Sequence, residues 1–141
     1  MIIDAKDTVL GRLATFVAKR LLEGEQVAIV NAEQSVISGR REATFGVYEA
    51  WLQIRNLANP RKGPVHLRRP DDLVRMTVRG MLPFDKTKGR EAYRKLRVYV
   101  GVPAEFKDKE MKSLPEASLE RLRTRRFIRV GELSKHLSAK F

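Results

Sequence analysis

The residues of this chain best suited to bind a ligand are arginines and lysines concentrated in one stretch. Between Arg61 and Arg97 the sequence holds twelve basic residues against four acidic ones, whereas the first sixty residues hold seven of each sign. A local excess of fixed positive charge concentrates phosphate groups around it and releases condensed counterions on binding. We therefore expect a polyanion as the partner, with nucleic acid ahead of an acidic membrane surface and of a charged surface that serves only solubility.

The types of these basic residues also favour phosphate recognition. Arginine outnumbers lysine eighteen to eleven in the chain, and the planar guanidinium suits bidentate contacts to phosphate and stacking on bases. Tyr93 and Tyr99 lie among the basic residues near the end of the stretch. Either ring can stack on a base, but a tyrosine in a periodic segment more often packs at the edge of the core, and we favour that interpretation.

Other kinds of chemistry find little support in the sequence. Cysteine is absent, which removes disulfides, thiolate zinc sites and thiol catalysis and fits a reducing compartment. Gly11 stands alone, without the further glycines of a phosphate-binding loop, and neither His66 nor His136 has a metal-ligand spacing. We therefore expect no catalytic residue, no cofactor and no metal. No apolar run is long enough for a membrane span, so we expect a cytoplasmic protein.

The elements that position the basic stretch begin with a β-α-β unit. Val9 to Glu23 has helical periodicity, with Leu10, Leu13, Ala14, Val17 and Leu21 on one face and Gly24 as its C-terminal cap. The apolar runs Met1–Ala5 and Val27–Val30 flank this helix and predict two strands that are adjacent in a parallel sheet.

The rest of the chain predicts further elements around the basic residues. A helix is expected from Arg40 to Leu57, with Val47, Ala50 or Trp51, and Ile54 at helical spacing. Another is expected from Pro70 to Pro83, where Arg75 and Arg79 share a side. The other predicted elements are a strand at Ser35–Ser38, an exposed loop at Arg61–Pro64, a helical turn at Arg90–Lys95 and a strand at Leu96–Val100. We predict a domain over residues 1–102 and a basic C-terminal extension over residues 103–141, packed on the domain or on neighbouring molecules.

Two separated blocks of this sequence resemble a known family. The blocks are Thr8-Val9-Leu10-Gly11-Arg12-Leu13-Ala14 and Val78-Arg79-Gly80-Met81-Leu82-Pro83, the second followed by Gly89-Arg90 and by Leu96-Arg97-Val98-Tyr99-Val100-Gly101. Together they resemble the universal large-subunit ribosomal protein L13 family, over about Met1 to Gly101. The segment Asn56–Pro64 and the tail after Pro103 look like the archaeal and eukaryotic branch, and the absence of a longer extension favours the archaeal type.

The resemblance implies a fold and a function. The implied fold is a three-layer α/β/α domain around a four-stranded parallel sheet in the order 3-2-1-4. The implied function is that of a structural, non-catalytic constituent of the large ribosomal subunit, which binds large-subunit ribosomal RNA, supports early subunit assembly and contacts neighbouring ribosomal proteins. It involves neither a membrane nor a small-molecule substrate. A free-standing RNA-binding translational regulator and, more distantly, a nucleotide-dependent enzyme are the alternatives.

The resemblance and the charge pattern together name candidate RNA-binding residues. The family's RNA surface carries over onto Arg79, Gly80, Met81, Lys86, Lys88, Arg90, Arg94 and Lys95, with Arg12 and Lys19 from the first helix. Charge alone adds Arg61, Lys62, Arg68, Arg69, Arg75 and Arg97. Gly80 also has a physical rationale, because a residue without a side chain lets RNA or a neighbouring element approach the backbone. The cluster Arg121–Arg129 is open to either RNA or a neighbouring protein.

Overall fold

The structure, a computed structural model, describes residues 1–141. It contains five helices and five strands, several of them joined by short 3₁₀ turns. In chain order they are β1 (Ile2–Asp4), α1 (Leu10–Leu22), β2 (Val27–Val30), β3 (Val36–Ser38), α2 (Arg41–Gln53), α3 (Pro70–Met81), α4 (Thr87–Arg94), β4 (Leu96–Val98), β5 (Phe127–Arg129) and α5 (Val130–His136). None of the helices is both long enough and apolar enough to cross a membrane.

The predicted β-α-β unit is the centre of the fold. β1 pairs with β2 in parallel, and Ile3 lies opposite Ile29 with both side chains fully buried. All five apolar residues predicted on the inner face of α1 are buried, and Ala18 is buried with them. The helix thus covers one face of the sheet with aliphatic side chains, and its polar residues stay on the opposite side.

The coarse prediction of an α/β protein with a parallel sheet is confirmed, but the four-stranded order 3-2-1-4 is not. The parallel sheet has three strands in the order β1-β2-β4, so β2 lies in the centre. Asn31, directly after β2, has a left-handed φ of 55°, which turns the chain away from the sheet before β3 begins. β3 instead pairs antiparallel with β5 from the C-terminal extension.

The outer edge of β1 is covered by the C-terminal extension. The Asp4 amide donates to the Lys112 carbonyl at 3.1 Å, and the Lys112 amide donates to the Ile2 carbonyl at 2.9 Å. The extension also adds Leu114, Ala117, Val130, Leu133 and Leu137 to the main hydrophobic cluster. The division of the chain near residue 102 stays a prediction, and the contacts across it are extensive.

Helix α2 is less buried than the spacing of its apolar residues predicts. None of its residues is fully buried, and Val47, on the predicted apolar stripe, is 68% exposed. Phe45, Tyr48 and Leu52 pack against the core instead, and burial raises the pKa of Tyr48 above its usual value. The helix ends at Gln53, and Ile54 beyond it is also exposed.

We predict that Ile29→Asp abolishes soluble folding. Ile29 is fully buried in the central strand, and burying an unpaired carboxylate costs several kcal/mol against a total stability of about 5 to 15 kcal/mol. The matched control is Val47→Asp at an exposed site, which should melt close to the parent. Circular dichroism melting curves check both variants. An Ile29→Asp variant that unfolds cooperatively, with a melting temperature within a few degrees of the parent's, would contradict the central role of β2.

Candidate nucleic-acid interface

The predicted RNA surface lies around a tight corner between α3 and α4. We use the name α3–α4 corner for the end of α3, the turn after it, α4 and the first residues of β4 up to Arg97. Gly89, in the first turn of α4, is buried, and a Cβ atom placed on it would lie 2.1 Å from the Pro83 carbonyl oxygen. Only glycine therefore allows α4 to pack against the turn that follows α3. Arg90 reinforces the corner, because its guanidinium donates to the carbonyls of Phe84 at 3.0 Å and Asp85 at 3.1 Å.

Several basic side chains on this corner have no partner within the protein. Lys86, Lys88, Arg94 and Arg97 are exposed and make no hydrogen bond or ion pair through their side chains. Lys95 differs, because its ammonium group donates to the Gly24 carbonyl at 3.1 Å. Arg90 and Lys95 thus have structural contacts of their own, whereas the other four cations are free to bind phosphate.

A groove runs along the amino ends of the parallel strands beside this corner. It has a volume of about 600 Å³ and brings Arg94, Lys95 and Arg97 together with Lys109 from the C-terminal extension. Glu91 is the only carboxylate in its lining. Sequence reasoning missed Lys109, because that lysine lies in a mixed-charge run and only the folded chain brings it beside β4.

Helix α1 places its basic residues next to the same corner. α1 packs on both α3 and α4, and the Thr15 hydroxyl contacts the Met81 sulfur at 3.5 Å. Arg12 and Lys19, both exposed, share a second groove with Lys112 of the C-terminal extension. The Arg12 guanidinium also donates to the Glu116 carbonyl at 3.5 Å. The two predicted parts of the surface, α1 and the α3–α4 corner, are therefore neighbours.

Arg75 and Arg79 pack on aromatic rings instead of extending freely from α3. The Arg75 guanidinium lies 5.5 Å from the centre of the Tyr93 ring, and that of Arg79 lies 4.2 Å from the centre of the Phe84 ring. The two rings meet edge to face at 5.6 Å. Such contacts hold a guanidinium in place while leaving N–H donors at its edge.

These contacts also bear on the two tyrosines. Tyr93 is half-buried, with Arg75 over its face and Phe84 at its edge. Tyr99 is half-buried as well and packs against Phe106 at 5.4 Å. Both contacts favour packing at the edge of the core over stacking on a base.

The remaining predicted residues lie in the loop between α2 and α3. Arg61, Lys62 and Arg68 are exposed there and line neither groove. Arg69 makes an ion pair with Asp71 at 3.1 Å. His66 connects this loop to the end of α2, because its Nε2 lies within hydrogen-bond distance, 2.9 Å, of the Ile54 carbonyl oxygen. The structure thus does not bring these four cations into the α3–α4 corner.

Exposed cations around one corner of an α/β protein, with two basic grooves beside it, are typical of the class of proteins that bind polyanions. Comparison with known proteins gives a more specific result. Residues 1–105 match the family model described as Ribosomal protein L13. The chain therefore belongs to the L13 family of ribosomal proteins, as the resemblance of its two sequence blocks implies.

Relatives that match along the whole chain include archaeal proteins that share one name, Large ribosomal subunit protein uL13. The one from Methanococcoides burtonii is 45% identical over 140 residues, which is 99% of each chain. That from Methanocaldococcus jannaschii is 47% identical over 141 residues, covering 99% of this chain and 98% of the relative. That from Methanopyrus kandleri is 44% identical over 138 residues, covering 96% and 85% respectively. The similarity includes the extension beyond residue 105.

We predict that two glycine variants separate packing from RNA contact. Gly89→Ala should shift α4 and lower both stability and RNA affinity, because overpacking typically costs about 1 to 3 kcal/mol. At Gly80 a Cβ atom would meet nothing within 4 Å, so Gly80→Ala should keep or raise the melting temperature, by up to about 1 kcal/mol of helix propensity. Its RNA affinity should nevertheless fall if RNA approaches the α3 backbone. Melting curves and filter binding measure the two effects, and full affinity in a stable Gly80→Ala variant would remove Gly80 from the interface.

Proposed function

We propose that this protein is a structural, non-catalytic constituent of the large ribosomal subunit and binds large-subunit ribosomal RNA through the α3–α4 corner. The observation that carries the proposal is the similarity along the whole chain to relatives named as large ribosomal subunit proteins. Four cations with no internal partner at the corner support it. In this role the protein is located in the cytoplasm, within the subunit, and contacts ribosomal RNA and neighbouring ribosomal proteins.

The mechanism we propose is electrostatic clamping by a rigid body. Gly89 and Arg90 fix the turn between α3 and α4, so the backbone positions that carry the cations around it are set before RNA arrives. The guanidinium groups of Arg75 and Arg79 are also held on aromatic rings, and side chains positioned in advance lose less conformational entropy on binding. Each phosphate contact releases counterions from the RNA, which supplies much of the binding free energy. A protein that holds separate RNA segments in this way would support early subunit assembly.

The proposed RNA-binding residues have different roles. Lys86, Lys88, Arg94 and Arg97 would neutralise phosphates directly, and Arg12 and Lys19 would extend that contact along α1. Arg75 and Arg79 would offer the edges of guanidinium groups held on aromatic rings. Arg90 and Lys95 would shape the corner as well as contribute charge. Gly80 and Met81 would allow the RNA backbone to approach the end of α3. Arg61, Lys62, Arg68 and Arg69 would contact RNA from the loop before α3.

Sedimentation tests the proposed function against the free-standing regulator. A constituent of the large subunit should travel with large subunits through a gradient at moderate salt. Protein that stays at the top of the gradient, while still binding an isolated RNA, would instead support a regulator.

We predict that RNA affinity falls steeply with salt because phosphate contacts from the Arg61–Arg97 stretch dominate binding. If about half of its twelve basic residues reach phosphates, this stretch should contribute roughly −4 to −5 to the slope of log K against log salt. Changing Lys86, Lys88, Arg94 and Arg97 to Gln should flatten the slope by up to about three units. Arg90 is left intact because its hydrogen bonds hold the corner.

The matched control changes four exposed lysines outside both grooves and outside the corner, namely Lys6, Lys107, Lys135 and Lys140. This set removes the same charge, so it should lower affinity only slightly if position matters. Titrations of ribosomal RNA at several salt concentrations measure both slopes. Equal flattening by the two sets would show that total charge, and not the corner, drives binding.

A further inference from the structure

A third basic groove shares no residue with the α3–α4 corner or with the two grooves beside it. It forms where the start of α2 meets the segment before β5 and has a volume of about 490 Å³. Its lining consists of Gly39, Arg40, Arg41, Glu42, Arg125, Arg126 and Phe127. Four of these seven residues are arginines, and they come from segments more than eighty positions apart in the sequence.

The antiparallel pairing of β3 with β5 builds this groove. Ser38 lies opposite Phe127, and the Gly39 amide donates to the Arg126 carbonyl at 3.0 Å. β3 ends at Ser38, and Arg40 lies directly before α2, so the strand pairing brings Arg40 and Arg41 to the same groove as Arg125 and Arg126. The fold therefore concentrates positive charge at the end of this strand pair.

Most of this charge has no counterpart inside the protein. Arg41 makes an ion pair with Glu132 at 3.4 Å and packs over Phe45. The side chains of Arg40, Arg125 and Arg126 are exposed and take part in no hydrogen bond, ion pair or cation-π contact. Glu42 is the only carboxylate that lines the groove. The groove therefore has three guanidinium groups without a partner and one carboxylate, and this excess of positive charge favours binding of an anion.

The composition of the lining indicates which kind of anion fits. Phe127 is the only hydrophobic residue in it, whereas the buried centre of a protein interface is apolar and depleted of charge. Guanidinium groups in a shallow, polar groove match the bidentate geometry of phosphate. These properties favour a nucleic-acid backbone over an acidic protein segment.

We propose that this groove binds the phosphodiester backbone of a second RNA segment, separate from the one at the α3–α4 corner. The inference rests on the proposed function and adds a second contact to it. β3 starts beyond the carboxyl ends of β1 and β2, where the Val36 amide donates to the Thr8 carbonyl. The groove that contains Arg94 and Arg97 lies at the amino ends of the parallel strands. The two sites share no residue, and the protein joins two RNA segments across its sheet.

The test uses the full chain with the three free arginines changed together, Arg40→Gln, Arg125→Gln and Arg126→Gln, and protein-free large-subunit ribosomal RNA as the probe. Three phosphate contacts are lost, and each releases ~0.7 to 0.9 counterions, so we expect the slope of log K against log salt to flatten by about two units. Hydroxyl-radical footprinting should show that one protected RNA segment is lost while another persists. The variant with Lys86, Lys88, Arg94 and Arg97 changed to Gln should lose the other segment.

Two further measurements keep the result interpretable. The triple variant without RNA should melt close to the parent's temperature, because the three changed side chains are exposed and make no hydrogen bond or ion pair within the protein. If it fails to fold, the pair Arg125→Gln and Arg126→Gln replaces it. The control changes Lys6, Lys107 and Lys135 to Gln and should leave both segments protected. A folded variant that keeps the parental slope and both protected segments overturns the inference and points to an acidic protein partner. Absence of RNA binding by the parent itself would refute the proposed function instead.

Discussion

The parallel pairing of β1 and β4 on either side of β2 is the constraint on which the rest of this structure depends. β2 is the only strand whose backbone is paired on both edges within the parallel sheet, and Ile29 at its middle is fully buried. α1 covers a face of the sheet and also carries Arg12 and Lys19. β4 continues from α4, so the position of the α3–α4 corner is set by the pairing of Leu96 with Val27.

The second theme of the structure is the separation of charge from core. The buried hydrophobic cluster contains only aliphatic residues, and the cations lie on the outer sides of elements whose inner sides pack into this cluster. Contacts with aromatic rings hold Arg75 and Arg79 without neutralising them. A carboxylate partner would have cancelled their charge. The protein therefore keeps its positive field while restricting the motion of some of the side chains that produce it.

The sequence predicted the elements that local periodicity determines. The inner face of α1, the adjacency of β1 and β2 and the start of α3 at Pro70 all follow from residue spacing within one segment. The strand order could not be predicted in this way. It depends on the left-handed turn at Asn31 and on the contact of Lys112 with β1, which joins residues more than a hundred positions apart.

The same distinction applies to the basic surface. A charge count located the α3–α4 corner because its cations are close in sequence. The grooves that contain Lys109 and Arg125 could not be found by counting, because distant segments form them only in the folded chain. Sequence reasoning also assigned no role to Gly89, whose importance depends on an approach of 2.1 Å between an added Cβ atom and a carbonyl oxygen.

The order of the strands along the chain, in which β5 comes after the other four, has a consequence for synthesis. Chains emerge from the ribosome with the N-terminus first, so α1, β2 and the α3–α4 corner are made well before Phe127–Arg129. The pairing of β3 with β5, and the burial of Leu133 and Leu137, must wait until the segment from Phe127 onward has been synthesised. The groove between Arg40 and Arg125 thus cannot exist on a nascent chain that has not yet reached Phe127. Such a chain already contains the residues of the α3–α4 corner, so the two cationic surfaces arise one after the other.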